Sequence, residues 1–325
     1  MGIGEGWPPG GGGRLFVAVT DDEWYEYLRS RPQLREVNFW SPSPRPLANL
    51  DPGDVVLFKL RAPRNRIVGG GVFVHFSVLP LAFAWQVFGE ANGAASIDDL
   101  EHRISRLRRR EGENQAGAGE AIGCTVLADA FFVHPAAGVA VPADFAPTTQ
   151  RGKGYRADTA EGRRLADAVW ALRAAAQGGA ALVAEAREPA ARWGAPILYR
   201  PRIGQGAFRV LVADAYERRC AVTGERTLPV LEAAHVRPYS QGGEHATRNG
   251  ILLRSDLHRL FDLGYVTIDP DNMRLEVSPR IRREFHNGRH YEALHGAPVA
   301  RPAPGFEPVA REHLAYHRER IYRAG

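Results

Sequence analysis

Three polar side chains able to do chemistry stand in an otherwise apolar stretch of the chain: His235, Asn249 and His258. An imidazole, with an ordinary pKa of about 6.5, can take a proton from water near neutral pH and can also ligate a metal. His258 and Asp262 are four residues apart, so on a helix they share one face and can offer two ligands to one cation. A single histidine beside an apolar strand is ordinarily a hydrogen-bonded structural residue. The order and setting of the whole set point to chemistry instead.

The elements that must position these residues can be read from the same stretch. VLEAAHV is an apolar strand ending near His235, and the Gly-bearing segment RPYSQGGEHATRN is a loop closed by Asn249. ILL is a second strand. A helix opens at Ser255 and carries His258 in its first turns. Upstream, Gln205 to Arg219 reads as a helix. Downstream, YVTID and RLEVS read as a hairpin joined across Pro270 to Asn272.

The segment CAVTGERTLPVLEAAHVRPYSQGGEHATRNGILLRSDLHRLFDLGYVTID, with strand, loop, strand and helix in that order, resembles the ββα-metal fold of the HNH endonucleases. That family includes the nuclease colicins and several restriction enzymes, and it carries His, Asn and His in matching order. The resemblance implies that His235 is the general base that deprotonates the attacking water. It implies that His258 and Asp262 hold a divalent cation that neutralises charge on the phosphoryl and departing oxygens. It makes Asn249 a bridge across the loop that holds His235 in the right tautomer and orientation.

The segment departs from the family's common pattern twice. Many members place a histidine or aspartate immediately before the base as a further metal ligand, where this chain has Ala234. Glu232, on the same strand parity, is expected to take that role, with Asp256 or water as alternatives. Many relatives also brace the fold with four cysteines around a structural zinc. This chain has only Cys124 and Cys220, so no structural zinc is expected. The expected cofactor is a divalent metal, Mg²⁺ or Mn²⁺, with Ni²⁺, Co²⁺ or Zn²⁺ as alternatives.

Charge supports an anionic partner. The net charge is +5, and almost all positive charge is arginine, since only Lys59 and Lys153 occur. From residue 201 onward 19 arginines face 15 acidic residues, and 8 of the 11 histidines lie there. Guanidinium groups suit bidentate phosphate contacts. Arg209, Arg218, Arg237, Arg248 and Arg259 flank the histidines in sequence and are the expected DNA contacts, with part of this set expected to form structural ion pairs instead.

The rest of the chain reads as a separate domain, giving an α+β protein of two parts. MGIGEGWPPGGGG has no apolar core of a signal peptide and is expected to be a disordered tail over 1–13. Over 14–178, short apolar runs such as LFVAV, DVVLF and GGGVFVHF alternate with turn chemistry, which predicts a small β-barrel. Helical inserts are expected at Asp21 to Ser30 and Ile97 to Arg110, with an Ala-rich helix from Thr159 to about Gln177. Residues 179–200 read as a linker and 201–325 as the nuclease domain. Gly69, Gly70 and Gly71 lie inside an apparent strand, where glycine marks a bulge or a close backbone approach rather than a phosphate loop.

The segment VNFWSPSPRPLANLDPGDVVLFKLRAPRNRIVGGGVFV resembles the PUA-like barrels, particularly the EVE branch, whose SRA-related members hold a flipped and often modified base in a pocket. Phe39, Trp40 and Ser41 match the early aromatic segment, with Asn38, Trp24, Trp85 and Asn92 as secondary candidates. The ordinary alternative is that these aromatics fill the barrel core.

Together the two resemblances imply a cytoplasmic, bacterial, modification-dependent restriction endonuclease. Its first domain would find a modified, 5-substituted cytosine in double-stranded DNA, and its second would cut nearby. It is expected to act as a homodimer, because one HNH site handles one strand, and to have no membrane association. Two alternatives stand beside this: a nuclease whose first domain reads RNA or phosphorothioate DNA, and a DNA-binding module that has lost catalysis through Ala234.

Overall fold

A computed structural model of the chain describes residues 13–110, 121–176 and 203–325. The chain divides into two compact units, Met1–Arg202 and Ile203–Gly325. The segments expected to be a tail, apart from Gly13, and a linker lie outside the described residues.

The first unit is built on a seven-stranded mixed sheet. Its strands are β1 (Arg14–Thr20), β2 (Val37–Ser41), β3 (Val55–Leu60), β4 (Arg66–Pro80), β5 (Ala121–Phe132), β6 (Val139–Ala140) and β7 (Gly152–Arg156). They follow the order β2-β5-β4-β3-β1-β7, with β6 paired to the start of β4. The β1–β3 pair is parallel, and the chain between them crosses by way of α1 (Asp22–Arg29) and β2. Asp21 caps α1 by accepting a hydrogen bond from the Trp24 amide, as the sequence predicts. The helices α3 (Ile97–Arg110) and α4 (Ala160–Ala176) also lie where periodicity places them, whereas α2 (Leu81–Phe88) has no polar cap to mark it and escapes sequence reading.

The expected closed barrel is not found. Among the described residues no pairing joins the end strands β2 and β7, so the sheet is open. It is nevertheless strongly curled. Strands β2 and β3 are three steps apart in the sheet, roughly 14 Å if it were flat, yet the rings of Phe39 and Phe58 stack at 5.9 Å. Trp24 fills the concavity, meeting Phe39 and Phe58 edge-on, both at 5.1 Å. Register shifts in β4 at Gly70/Val72 and Phe73/His75 supply the bend. The glycines there are required by crowding, since a Cβ on Gly69 would lie 2.2 Å from the Phe131 carbonyl oxygen.

In the second unit α5 (Gln205–Ala215) precedes the antiparallel pair β8 (Leu231–His235) and β9 (Gly250–Arg254). The helix α6 (Ser255–Asp262) leaves β9 directly. The hairpin β10 (Val266–Ile268) and β11 (Leu275–Val277) follows, then α7 (Arg280–Phe285), α8 (Arg289–Glu292) and α9 (Arg311–Arg320). Helix α5 stops four residues short of the expected Arg219, because Glu217 and Arg218 turn into the left-handed region. No helix among the described residues is long and apolar enough to cross a membrane.

Helix α9 closes this unit through a buried histidine. His317 stacks on Phe261 of α6 at 3.6 Å, donates from Nε2 to the Phe261 carbonyl at 3.0 Å, and lies 2.8 Å from the Thr267 hydroxyl through Nδ1. A neutral ring satisfies both bonds, and burial lowers its pKa from 6.5 to about 4. The unfolded chain therefore takes up a proton in this window that the folded chain refuses. Stability present above pH 6.5 is lost as pH falls toward 4, by an amount on the order of a few kcal/mol. The melting temperature of the second unit should fall across that range, and His317→Gln should make the fall shallower.

Candidate active site

The site is assembled where β8, β9 and α6 meet. Leu231 and Ala234 of the first strand, Val236 just beyond it, and Ile251, Leu252 and Leu253 of the second are all buried. Pairing runs from Leu231 with Arg254 to His235 with Gly250, so His235 sits at the end of the ladder beside the loop. Gly250 is required there, because a Cβ would lie 2.3 Å from Val212 of α5.

Asn249 is 0% exposed and ties the loop to itself. Its Oδ1 accepts from the Arg237 amide at 2.8 Å, while Nδ2 donates to the carbonyls of Arg237 at 2.9 Å and Glu244 at 3.0 Å. Its own carbonyl accepts from Val236. It bridges the loop, but it does not bond the His235 ring.

The ring that does so is His245, which sequence reasoning passed over. His235 Nε2 and His245 Nδ1 lie 3.0 Å apart. His235 stacks on Phe208 of α5 with centroids 4.0 Å apart, and His245 stacks on Tyr239 at 4.5 Å. The signal was present in GGEH, a histidine on the same turn as the glycines, but nothing in its spacing says that the loop folds back onto His235. Burial, helped by the nearby charges of His245 and His258, lowers the pKa of His235 from 6.5 to about 4. Burial lowers that of His245 as well.

The opposite side of the site carries carboxylates. His258 Nδ1 donates to Glu232 Oε2 at 2.6 Å, and its Nε2 lies 3.4 Å from Asp262 Oδ2. Burial raises the pKa of Asp262, against the opposing pull of His258 and Arg259. The expected alternative ligand Asp256 is committed elsewhere: Arg254 grips both its oxygens at 2.7 and 2.8 Å, and Tyr291 donates to it. Ala234 is fully buried and offers no donor.

Among the described residues no three histidine, cysteine or acidic side chains converge as a ready metal cage. The donors present still fit a cation held partly by water or phosphate. An imidazole that donates one nitrogen to a carboxylate turns the other toward a metal. Two donors 3.4 Å apart, His258 Nε2 and Asp262 Oδ2, can share one ion. In this geometry Glu232 holds the His258 ring through its Oε2, and its charge also acts on Asp262.

The expected DNA-contacting arginines divide. Arg248 is spanned by Glu244 and Glu312, and Arg218 pairs with Asp214. Arg237 donates to the Gln241 carbonyl and covers the Tyr316 ring at 4.6 Å. Arg259 is exposed on α6 and acts on Asp262, while the half-buried Arg209 acts on Glu232.

The expected base-pocket residues divide too. Trp24 is 3% exposed and fills the aromatic core, whereas Phe39 packs against that core and, like Trp40, keeps partial exposure. Asn38 is buried and donates to Asn92 Oδ1 at 2.9 Å, and Trp40 Nε1 donates to the Asn92 carbonyl at 2.8 Å. Ser41 is turned into a local bond with the Ser43 carbonyl. Trp85 lies partly exposed on α2, and Trp40 keeps partial exposure.

Residues 220–269 match the family model described as HNH endonuclease, so the second unit carries an HNH endonuclease domain. Among solved structures the chain aligns with one titled a modification-dependent TagI restriction endonuclease, at 14% identity and a TM-score of 0.28. That alignment covers 83% of this chain and 62% of the other, so the chain spans less than two thirds of that protein. No curated protein matches the chain.

The loop gives a direct test of the site's architecture. Asn249→Ala leaves the Arg237 and Glu244 groups unpaired and should destabilise the second unit by about 2–3 kcal/mol, read by chemical denaturation. Gly243→Ala places a Cβ 1.9 Å from the Arg237 carbonyl oxygen and 2.7 Å from Asn249 Nδ2, and should reproduce the loss.

Proposed function

We propose that this protein is a modification-dependent restriction endonuclease that hydrolyses DNA phosphodiester bonds at the β8–β9–α6 site. The observation that carries the reading is geometric: a half-enclosed imidazole, His235, stands at the end of β8, and on the helix that leaves the paired strand β9 a second imidazole, His258, is bracketed by two carboxylates. His235 accepts the proton of the attacking water. His258 and Asp262 hold a divalent cation, which when bound neutralises charge on the phosphoryl and departing oxygens. Glu232 fixes the His258 ring so that Nε2 faces the cation, and Asn249 keeps the loop in register. Arg209 and Arg259 are the arginines best placed to meet phosphate near these groups.

In this reading the first unit selects the DNA by a modified cytosine, with Trp40 and Trp85 as the stacking candidates that keep exposed surface. Asn38 adds a buried Oδ1 with no hydrogen-bond partner among the described residues, an acceptor beside Trp40 and Asn92. Two copies acting together break both strands.

Digestion of DNAs carrying cytosine, methylcytosine, hydroxymethylcytosine or glucosylated cytosine, with Mg²⁺ or Mn²⁺, tests both halves. A modified substrate should be cut preferentially, and equal cutting of all four would remove the targeting half. His235→Ala should lower the rate by about 10²–10⁴-fold, and unchanged nicking by that variant would remove the assigned base.

The pH profile adds a further check. Because His235 titrates near 4 instead of 6.5, its base form persists through mildly acidic solution. The cleavage rate should therefore hold through pH 6 and fall only as pH drops toward 4.

A further inference from the structure

The imidazole assigned as base has one nitrogen engaged and one open. Among the described residues His235 makes one ring hydrogen bond, through Nε2 to His245 Nδ1 at 3.0 Å. Two imidazole nitrogens at that distance share one hydrogen. Either His235 Nε2–H donates to a lone pair on His245, or His245 Nδ1–H donates to a lone pair on His235. Only the first leaves a lone pair on His235 Nδ1.

We propose that His245 is a positioning residue for hydrolysis, accepting the Nε2 proton of His235 on its own Nδ1 and so keeping His235 Nδ1 free to deprotonate the attacking water. The inference rests on the reading of His235 as the base.

Three observations favour it. In the first arrangement both rings carry hydrogen on Nε2, the nitrogen that a free neutral imidazole side chain prefers to protonate. In the second both carry it on Nδ1. Neither ring turns over easily, since His235 lies on Phe208 with planes 15° apart and His245 lies on Tyr239 with planes 21° apart. His245 is itself placed by the buried amide, because Asn249 Nδ2 grips the carbonyl of Glu244, the residue before it. Asn249 therefore acts on His235 at one remove, through the backbone that carries His245.

The step balances without any other reactant. The water O–H bond breaks, its proton goes to His235 Nδ1 and its electron pair forms the new O–P bond. The P–O3′ bond breaks with its pair on the departing oxygen, which takes a proton from solvent. The imidazolium so formed keeps its Nε2–H bond to neutral His245, now as the stronger charge-assisted form.

The test uses the full-length protein. Two-bond proton–nitrogen correlation spectra of the histidine rings should show His235 protonated on Nε2. His245→Ala should lower single-turnover cleavage of hydroxymethylcytosine DNA by about 10²-fold with KM unchanged. His245→Asn, whose Oδ1 can stand where Nδ1 stands, should recover most of the rate.

Protonation of His235 on Nδ1 in the wild type would overturn the proposal whether or not the variants fold. So would His245→Ala cleaving within twofold of wild type while His235→Ala is inactive. Should His235→Ala cleave normally, the base assignment itself falls, and with it this inference. The two failures are distinguishable because only the second leaves the His235 variant active.

Discussion

The buried amide of Asn249 is the interaction on which the candidate active site depends. A loop of fourteen residues between two short strands exposes many backbone groups that water would otherwise satisfy. One side chain with two donors and an acceptor engages three of them at once, on both limbs of the loop. The loop's conformation is thereby made a single one, and everything it carries inherits that order: the end of β8, the glycine turn, and the histidine that folds back over His235.

Around that pin the site separates its chemistry by burial. The His235–His245 pair lies among aromatic rings, where a charged imidazole is disfavoured and a neutral one is held ready to accept a proton. His258 lies between two carboxylates, one bonded to its Nδ1 and the other beside its Nε2. The same residue type thus serves opposite needs within one strand–strand–helix unit, and the difference comes from neighbours rather than from the imidazole. Helix α9 reinforces the arrangement at a distance by stacking His317 on Phe261, one residue before Asp262.

The first unit obeys a different constraint. A sheet that brings β2 over β3 must fill its concavity, and it does so with Trp24, Phe39 and Phe58. Trp24, which sequence alone would offer to a base, is consumed as core. Trp40 and Trp85 keep surface because one stands at the rim and the other on a helix outside the sheet. The arginines near the second unit's site divide as well: Arg218 and Arg248 pair with carboxylates away from the histidines, while Arg209 acts on Glu232 and Arg259 on Asp262.

By itself the sequence determined the local order of the site. Strand, loop, strand and helix, with His235, Asn249, His258 and Asp262 on them, follow from period and turn chemistry, because those signals are short-range and each residue sits within a few positions of its element's boundary. The helices α1, α3 and α4 were legible for the same reason, through capping and spacing. What the tertiary structure alone decided were pairings across long separations. These include His245 on His235 through a folded loop, Glu232 on His258, Asp256 taken by Arg254, and Trp24 turned into the core. The open sheet in place of the expected barrel is of this kind as well. Alternating apolar runs specify strands, but closure depends on which edges meet, and no local pattern encodes that.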